Sequence, residues 1–363
     1  MSKRVWILGA GFSAPLGGPL LNDLFSQKME SDLESHYGWK ADRKNPANWI
    51  AVNLFRWGLG ERVHTAGDSG ETQGRRLWQH AEEYLDRLDS ALHSRGSKED
   101  VICKAIKAAA GFETSFVDWI EKTGKTDLLK SVVLAGKRWM AGECCVFLKD
   151  ADLGTERWTP YKNWAKALTA DDAILTFNYD TVLETLITNG HGDLVISDPR
   201  LGSITTQTTP VFKLHGSVDW KYSSKEQERF FYVDEPESCM TQTLDSFGMA
   251  TPGPSKKIAT GQLKPLWDRA LEYLKEASYV YFVGYRFPES DTEAMRALLT
   301  AMKQGSKART VITSVILGPD TNDDRVQRLD GLIKETLKKP PVVLPLYAQD
   351  FMTTYAMDKS STS

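Results

Sequence analysis

The chain has 363 residues, 41% of them hydrophobic, enough to bury the core of one large α/β domain or two smaller ones. Its 45 basic and 48 acidic residues leave a formal charge of −3 and are spread along the length without blocks, which argues against a nucleic-acid or membrane-surface footprint. The four cysteines, Cys103, Cys144, Cys145 and Cys239, include a vicinal pair and no CxxC, so neither a disulfide framework nor a zinc knuckle is expected, and a reduced cytoplasmic setting is the simplest one.

In chain order, the first predicted element is a strand at Val5 to Gly9. Lys3 and Arg4 before this apolar run imitate a secretion signal, but Gly9, Gly11, Pro15 and Pro19 cut it short. From about Leu20 to Asp171 the sequence shows helical periodicity and almost no strand signal. Leu77, Ala81, Tyr84, Leu85, Leu88 and Leu92 form one apolar stripe, and Val101, Ile102, Ala105, Ile106 and Ala109 form another. Further helices are expected at Phe116 to Lys122, Asp127 to Lys149 and Tyr161 to Leu168. Trp139, Trp158 and Trp164 read as packing residues of this layer, because no basic groove accompanies them as a base-stacking platform would require.

Strands are then predicted at Ala173 to Phe177, Leu194 to Ser197, Val211 to Leu214, Tyr279 to Gly284, Val311 to Leu317 and Val342 to Leu346. Several are nearly continuous apolar runs, as expected of strands covered on both faces. The fold class is therefore α/β, a doubly wound, mostly parallel Rossmann-like sheet with a large helical insert after the first strand. Residues 1–20 and 172–350 are assigned to the sheet domain and 21–171 to the insert. Residues 222 to 262 are polar and proline-rich and read as a surface excursion. A helix is expected from Leu263 to Glu276, and Ser290 with Glu293 forms a capping box for the next. Residues 351–363 are expected to be a disordered tail.

Five places carry chemistry. Gly9-Ala10-Gly11-Phe12-Ser13-Ala14 fits G-x-G-x-x-G/A between a strand and a helix, where glycines let backbone N–H groups approach a pyrophosphate; an ordinary glycine-rich turn would look the same. An acidic residue ending a second strand ~20 residues later, usual in dinucleotide oxidoreductases, is missing. Thr176-Phe177-Asn178-Tyr179-Asp180 puts Asn178 and Asp180 two residues apart at a strand's carboxyl end, aimed into the crevice where open α/β sheets bind ligands; a cap would explain only one of them. His215, in Lys213-Leu214-His215-Gly216-Ser217, can serve as a general base near neutral pH or can be structural. Gly284 opens the loop "GYRFPESD", and Asp320 follows Leu317-Gly318-Pro319, where it could accept from a ribose hydroxyl; a plain turn competes at both.

Taken in order, these elements resemble the sirtuin-like family of NAD-consuming proteins. Gly9, Ala10, Gly11 and Ser13 match Gly-Ala-Gly-x-Ser; Thr176, Asn178 and Asp180 match Thr-x-Asn-x-Asp; residues 213 to 217 match Lys-Leu-His-Gly-Ser. "GYRFPESD" is similar to a segment of bacterial sirtuin-like proteins, and "TPGPSKK" to a stretch that precedes it there. Protein-deacylating sirtuins carry a four-cysteine zinc ribbon after the His-Gly, whereas here only Cys239 follows His215; Phe177 and Arg286 also depart from the deacylase pattern. The resemblance implies NAD as substrate, no metal, and a bacterial phage-defence branch. It implies that Gly9 to Ser13, Phe12 included, hold the phosphates, with Thr176, Gly216, Gly284 and Asp320 further contacts. Asp180 would meet the carboxamide, Asn178 would position the attacking water, and His215 would act on a ribose hydroxyl or that water.

The activity expected is NAD glycohydrolysis, with nucleotide sensing without turnover as the alternative and protein deacylation behind both. No separate sensor domain is evident, so control is expected from self-assembly into a homo-oligomer, from the insert, or from another protein or small molecule. No direct nucleic-acid or membrane partner is expected.

Overall fold

The computed structural model describes residues 3–20, 23–25, 125–149, 151–199, 207–223, 229–232, 235–250, 263–288 and 291–360, together with the helical residues 51, 52, 55, 85 and 88. Seven strands form one sheet: β1 (Arg4–Leu8), β2 (Asp172–Thr176), β3 (Leu194–Ile196), β4 (Thr209–Lys213), β8 (Tyr279–Val283), β9 (Ile312–Ile316) and β10 (Val342–Leu344). Their order is β10-β9-β8-β1-β2-β4-β3, and every pairing is parallel. All seven lie where the apolar runs predict them.

Alternation along β1 shows why both faces are covered. Val5 and Ile7 face a cluster built with α5 (Lys264–Glu276), α6 (Thr292–Ser306) and α7 (Asp324–Leu337). Trp6 and Leu8 face the opposite cluster, with α1 (Ala10–Ser13), α3 (Thr159–Ala167), α4 (Val182–Thr188) and α8 (Ala348–Ser360). At the amino ends of the strands, Asp172 accepts from Arg4 Nε at 2.7 Å and from Trp6 Nε1 at 3.0 Å, which locks β1 to β2.

Between β1 and β2 the chain makes the helical excursion expected, of which α1, α2 (Lys125–Val146) and α3 are described. Leu85 and Leu88 are helical and buried as their stripe predicts. The rest of that stripe, the stripe from Val101 to Ala109 and the helix at Phe116 to Lys122 lie outside the described residues, as do Ser290 and the segment "TPGPSKK".

Two expectations are corrected. Residues after His215 do not only wander over the surface: β5 (Gly216–Ser223), β6 (Arg229–Tyr232) and β7 (Phe247–Met249) pair as a small antiparallel sheet in the order β6-β5-β7. Val218, Trp220 and Tyr222 are buried and alternate with the polar Ser217 and Asp219, which are buried as well, so the strand is hidden from a hydrophobicity pattern. The tail expected from residue 351 is instead helical through Ser360. Phe351, Met352 and Tyr355 are buried against Trp6 and the first turn of the fold, so the ordering of this segment is driven by apolar burial.

Candidate functional site

The tips of β8, β1, β2 and β4 lie side by side, since Leu8 pairs with Val283 and Thr176, and Thr176 with Lys213. Chain order reverses between β1 and β8, and open parallel sheets bind ligands outside the carboxyl ends of the strands at such a point.

The glycine turn sits at this reversal. A Cβ on Gly9 would fall 2.7 Å from Gly284 O and Tyr285 Cα, and one on Gly11 would fall 2.7 Å from Gly284 Cα. Gly284 itself has φ +67°, and its Cβ would meet Gly11 C and Phe12 N at 2.4 Å. Two turns therefore cross at backbone contact, and glycine is required there by space. Gly9 N donates to Val283 O (3.1 Å), Gly11 N to Gly284 O (3.1 Å) and Phe12 N to Gly9 O (2.8 Å). The N–H of Ala10, first in α1, has no such partner among the described residues. Phe12 turns its ring away, edge-on to Tyr161 and Trp164, and its carbonyl accepts from Tyr161 Oη at 2.6 Å.

On the next tip, Thr176 Oγ1 accepts from Asn178 N (3.1 Å). Asn178 Nδ2 then donates to Gly9 O (3.0 Å) and to Ser13 Oγ (2.8 Å). Ser13 Oγ in turn donates to Asp180 Oδ2 (2.6 Å), while Asp180 Oδ1 accepts from Val182 N at the start of α4 (3.2 Å). Both amide hydrogens of Asn178 and one oxygen of Asp180 are thus committed to holding two tips together, while the other oxygen of Asp180 fixes the start of α4. Asn178 Oδ1 remains as the acceptor of that side chain.

Below this network lies a charged cluster that sequence reasoning missed. Lys213 is buried, and its Nζ donates to Asp180 O and Glu184 Oε1, each at 2.6 Å. Burial pulls its ammonium down, but Glu184, Asp219 and Asp180 outweigh that and hold it above its ordinary value. Burial pushes Glu184 up to about 7, with Asp219 adding to the rise and Lys213 opposing it. Burial likewise raises Asp180 against the opposition of Lys213 and Ser13.

At the tip of β4, His215 is buried with its Nε2 3.5 Å from Asp291 Oδ1. The ring of Phe177 stands edge-on to it at 4.8 Å, and that of Tyr179 lies 5.8 Å away. Gly216 has φ +78°, and its Cβ would meet Gly248 O at 1.9 Å, so β7 explains this glycine. Asp320 lies in an exposed turn after β9, accepting from Asn322 N at 2.9 Å, and no described contact joins it to the cluster.

The structure thus brings Gly9, Gly11, Ser13, Thr176, Asn178, Asp180 and Gly284 into one hydrogen-bonded set, with His215 on the adjoining tip. A SIR2-like domain family model matches residues 172–336. This stretch is SIR2-like. The SIR2-like stretch starts at the first residue of β2 and contains Asn178, Asp180, His215, Gly284 and Asp320; the glycine turn precedes it and joins it through the pairing of β1 with β2. A solved structure of Sir2, in complex with the inhibitor EX-527, 2'-O-acetyl-ADP-ribose and a deacetylated p53 peptide, is similar over 99% of this chain and 95% of that chain, with 12% identity and a TM-score of 0.34. No curated protein matches the chain. Among the described residues, no helix is long and apolar enough to cross a membrane.

Proposed function

We propose that the protein is an NAD glycohydrolase that cleaves the bond between nicotinamide and ribose. Nicotinamide leaves an anomeric carbon, so the transition state is oxocarbenium-like and needs an oriented substrate and a water delivered to the ribose face. The observation that carries the reading is Asn178: its Nδ2 is spent on Gly9 O and Ser13 Oγ, which leaves Oδ1 as the remaining acceptor of that side chain, on the tip next to that of His215.

In this reading Asn178 Oδ1 orients the water, and His215 takes a proton from it or from a ribose hydroxyl. The crossing of Gly9 and Gly11 over Gly284 keeps side chains out of the reversal point, and Ala10 offers its N–H to a phosphate. Thr176 and Asp180 act by fixing Asn178 and Ser13. Asp320 would meet substrate only at the rim. The family likeness supports a role as a regulated antiphage effector in which cleavage of cellular NAD halts growth, with self-assembly or a molecule acting on the insert as the trigger.

Nucleotide sensing without turnover is favoured by one feature, the complete engagement of Asp180 inside the protein. Incubation with NAD while free nicotinamide is followed separates the two, and the expected result is release that depends on His215. Tight NAD binding with no release by the assembled protein would leave the sensor; equal release by parent and His215→Ala would overturn the assignment of the site.

A further inference from the structure

Among the buried carboxylates that the proposed mechanism does not use, Asp291 is the one beside His215. Asp291 sits immediately before α6, where an acidic residue ordinarily caps the helix by accepting from a first-turn N–H. Its side chain makes no such bond. Instead Oδ2 accepts from Tyr285 Oη at 3.0 Å and Oδ1 faces His215 Nε2 at 3.5 Å, with all three residues buried.

Reaching that position takes a loop built for it. β8 and β4 are separated in the sheet by β1 and β2, so the segment after β8 must cross both tips to bring Asp291 to His215. Phe177, on the tip of β2, fills the space beneath: its ring stacks on Tyr285 at 4.0 Å and 6° and stands edge-on to the imidazole. Tyr179 also faces the imidazole, with its hydroxyl turned onto Ala250 O at 2.9 Å, while Asp291 supplies a carboxylate on the Nε2 side.

We infer that Asp291 is the positioning residue of His215, held in place by Tyr285. A carboxylate opposite Nε2 keeps the proton on that nitrogen, makes Nδ1 the basic one, and balances the imidazolium once Nδ1 takes a proton. The inference rests on the reading of His215 as the proton acceptor in NAD cleavage.

The test follows His215 directly. Protein labelled with ¹³C at histidine Cε1 is titrated by NMR, with His215→Gln identifying the resonance, and nicotinamide release is measured across pH on the same samples. Asp291→Asn is expected to lower the His215 titration midpoint by about one pH unit. It should also cut release roughly 100-fold while NAD binding, read by calorimetry, changes little. Tyr285→Phe, which removes a single hydroxyl, is expected to shift the midpoint in the same direction by about half as much, and it carries the test if Asp291→Asn does not fold. A midpoint unmoved in the folded variants overturns the inference. A moved midpoint in a parent that releases no nicotinamide upholds the pair and overturns the NAD-cleavage reading instead.

Discussion

At the scale of the residue, Asn178 does two jobs that mutation can separate. Its amide hydrogens pin Gly9 O and Ser13 Oγ, and its oxygen is the group proposed to face water. Asn178→Ala is therefore expected to cost about 1–2 kcal/mol of stability, seen as a lower denaturant midpoint, and also to lower turnover far more than the stability loss explains. His215→Ala should keep the fold and lose about 10²- to 10⁴-fold in nicotinamide release. The two variants thus differ in stability and agree in activity. Asn178 and Asp180 were legible in the sequence because residues two apart at a strand end share a direction, and Ser13 because it completes Gly-Ala-Gly-x-Ser after the first strand. Asp291 stood in the sequence only as the last residue of "GYRFPESD", next to the expected cap Ser290, and its approach to His215 depends on tertiary packing. Lys213 was legible as a motif member, but its burial among three carboxylates depends on tertiary packing that local pattern does not carry.

At the scale of the element, the crossing of the two glycine turns sets the geometry of the reversal point. Gly284→Ala combines a left-handed φ with a backbone clash and is expected to destabilise by about 3 kcal/mol. Gly190 provides the comparison: its φ is +70° but nothing lies within 4 Å of a Cβ there, so Gly190→Ala should cost only about 1 kcal/mol, measured by the same chemical denaturation. The strands of the large sheet could be read one by one because burial on both faces makes each a continuous apolar run, as in β2, where every residue is buried. The small antiparallel sheet escaped notice because Val218, Trp220 and Tyr222 alternate with Ser217, Asp219 and Lys221 and lead into a polar stretch. The last helix was hidden in the same way. Phe351, Met352 and Tyr355 are few among polar residues, yet their spacing places them on one face against the sheet.

At the scale of the whole molecule, the buried cluster around Lys213 should be visible in stability. Glu184 holds its proton up to about 7 in the folded chain, above its ordinary carboxyl value, so the folded state binds more protons than the unfolded one across that interval. Stability contributed by Glu184 is therefore present below its unfolded value and is lost as pH rises towards 7, by about 3 kcal/mol. Glu184→Gln keeps an oxygen for Lys213 Nζ and should flatten the melting temperature between pH 5 and about 8 relative to the parent. Melting curves of equal slope for the two proteins would count against this account of the cluster. Deleting residues from Ala348 onward would expose Trp6 and Trp164 and is expected to leave the protein aggregated instead of merely shortened, which size-exclusion chromatography would show.

β1 stands at the centre of the sheet although it opens the chain. Both its partners, β2 and β8, are synthesised much later, one beyond the helical insert and the other in the last quarter of the sequence. During translation Val5 to Leu8 stay apolar and unpaired until β2 has left the ribosome, and are flanked on both sides only once β8 follows; loop closure of this length makes refolding slow. The glycine turn, and with it the crevice, is consequently assembled in the final steps of folding: a nascent or truncated chain lacking β8 has no site, so any activity it carries comes into being only with the complete sheet.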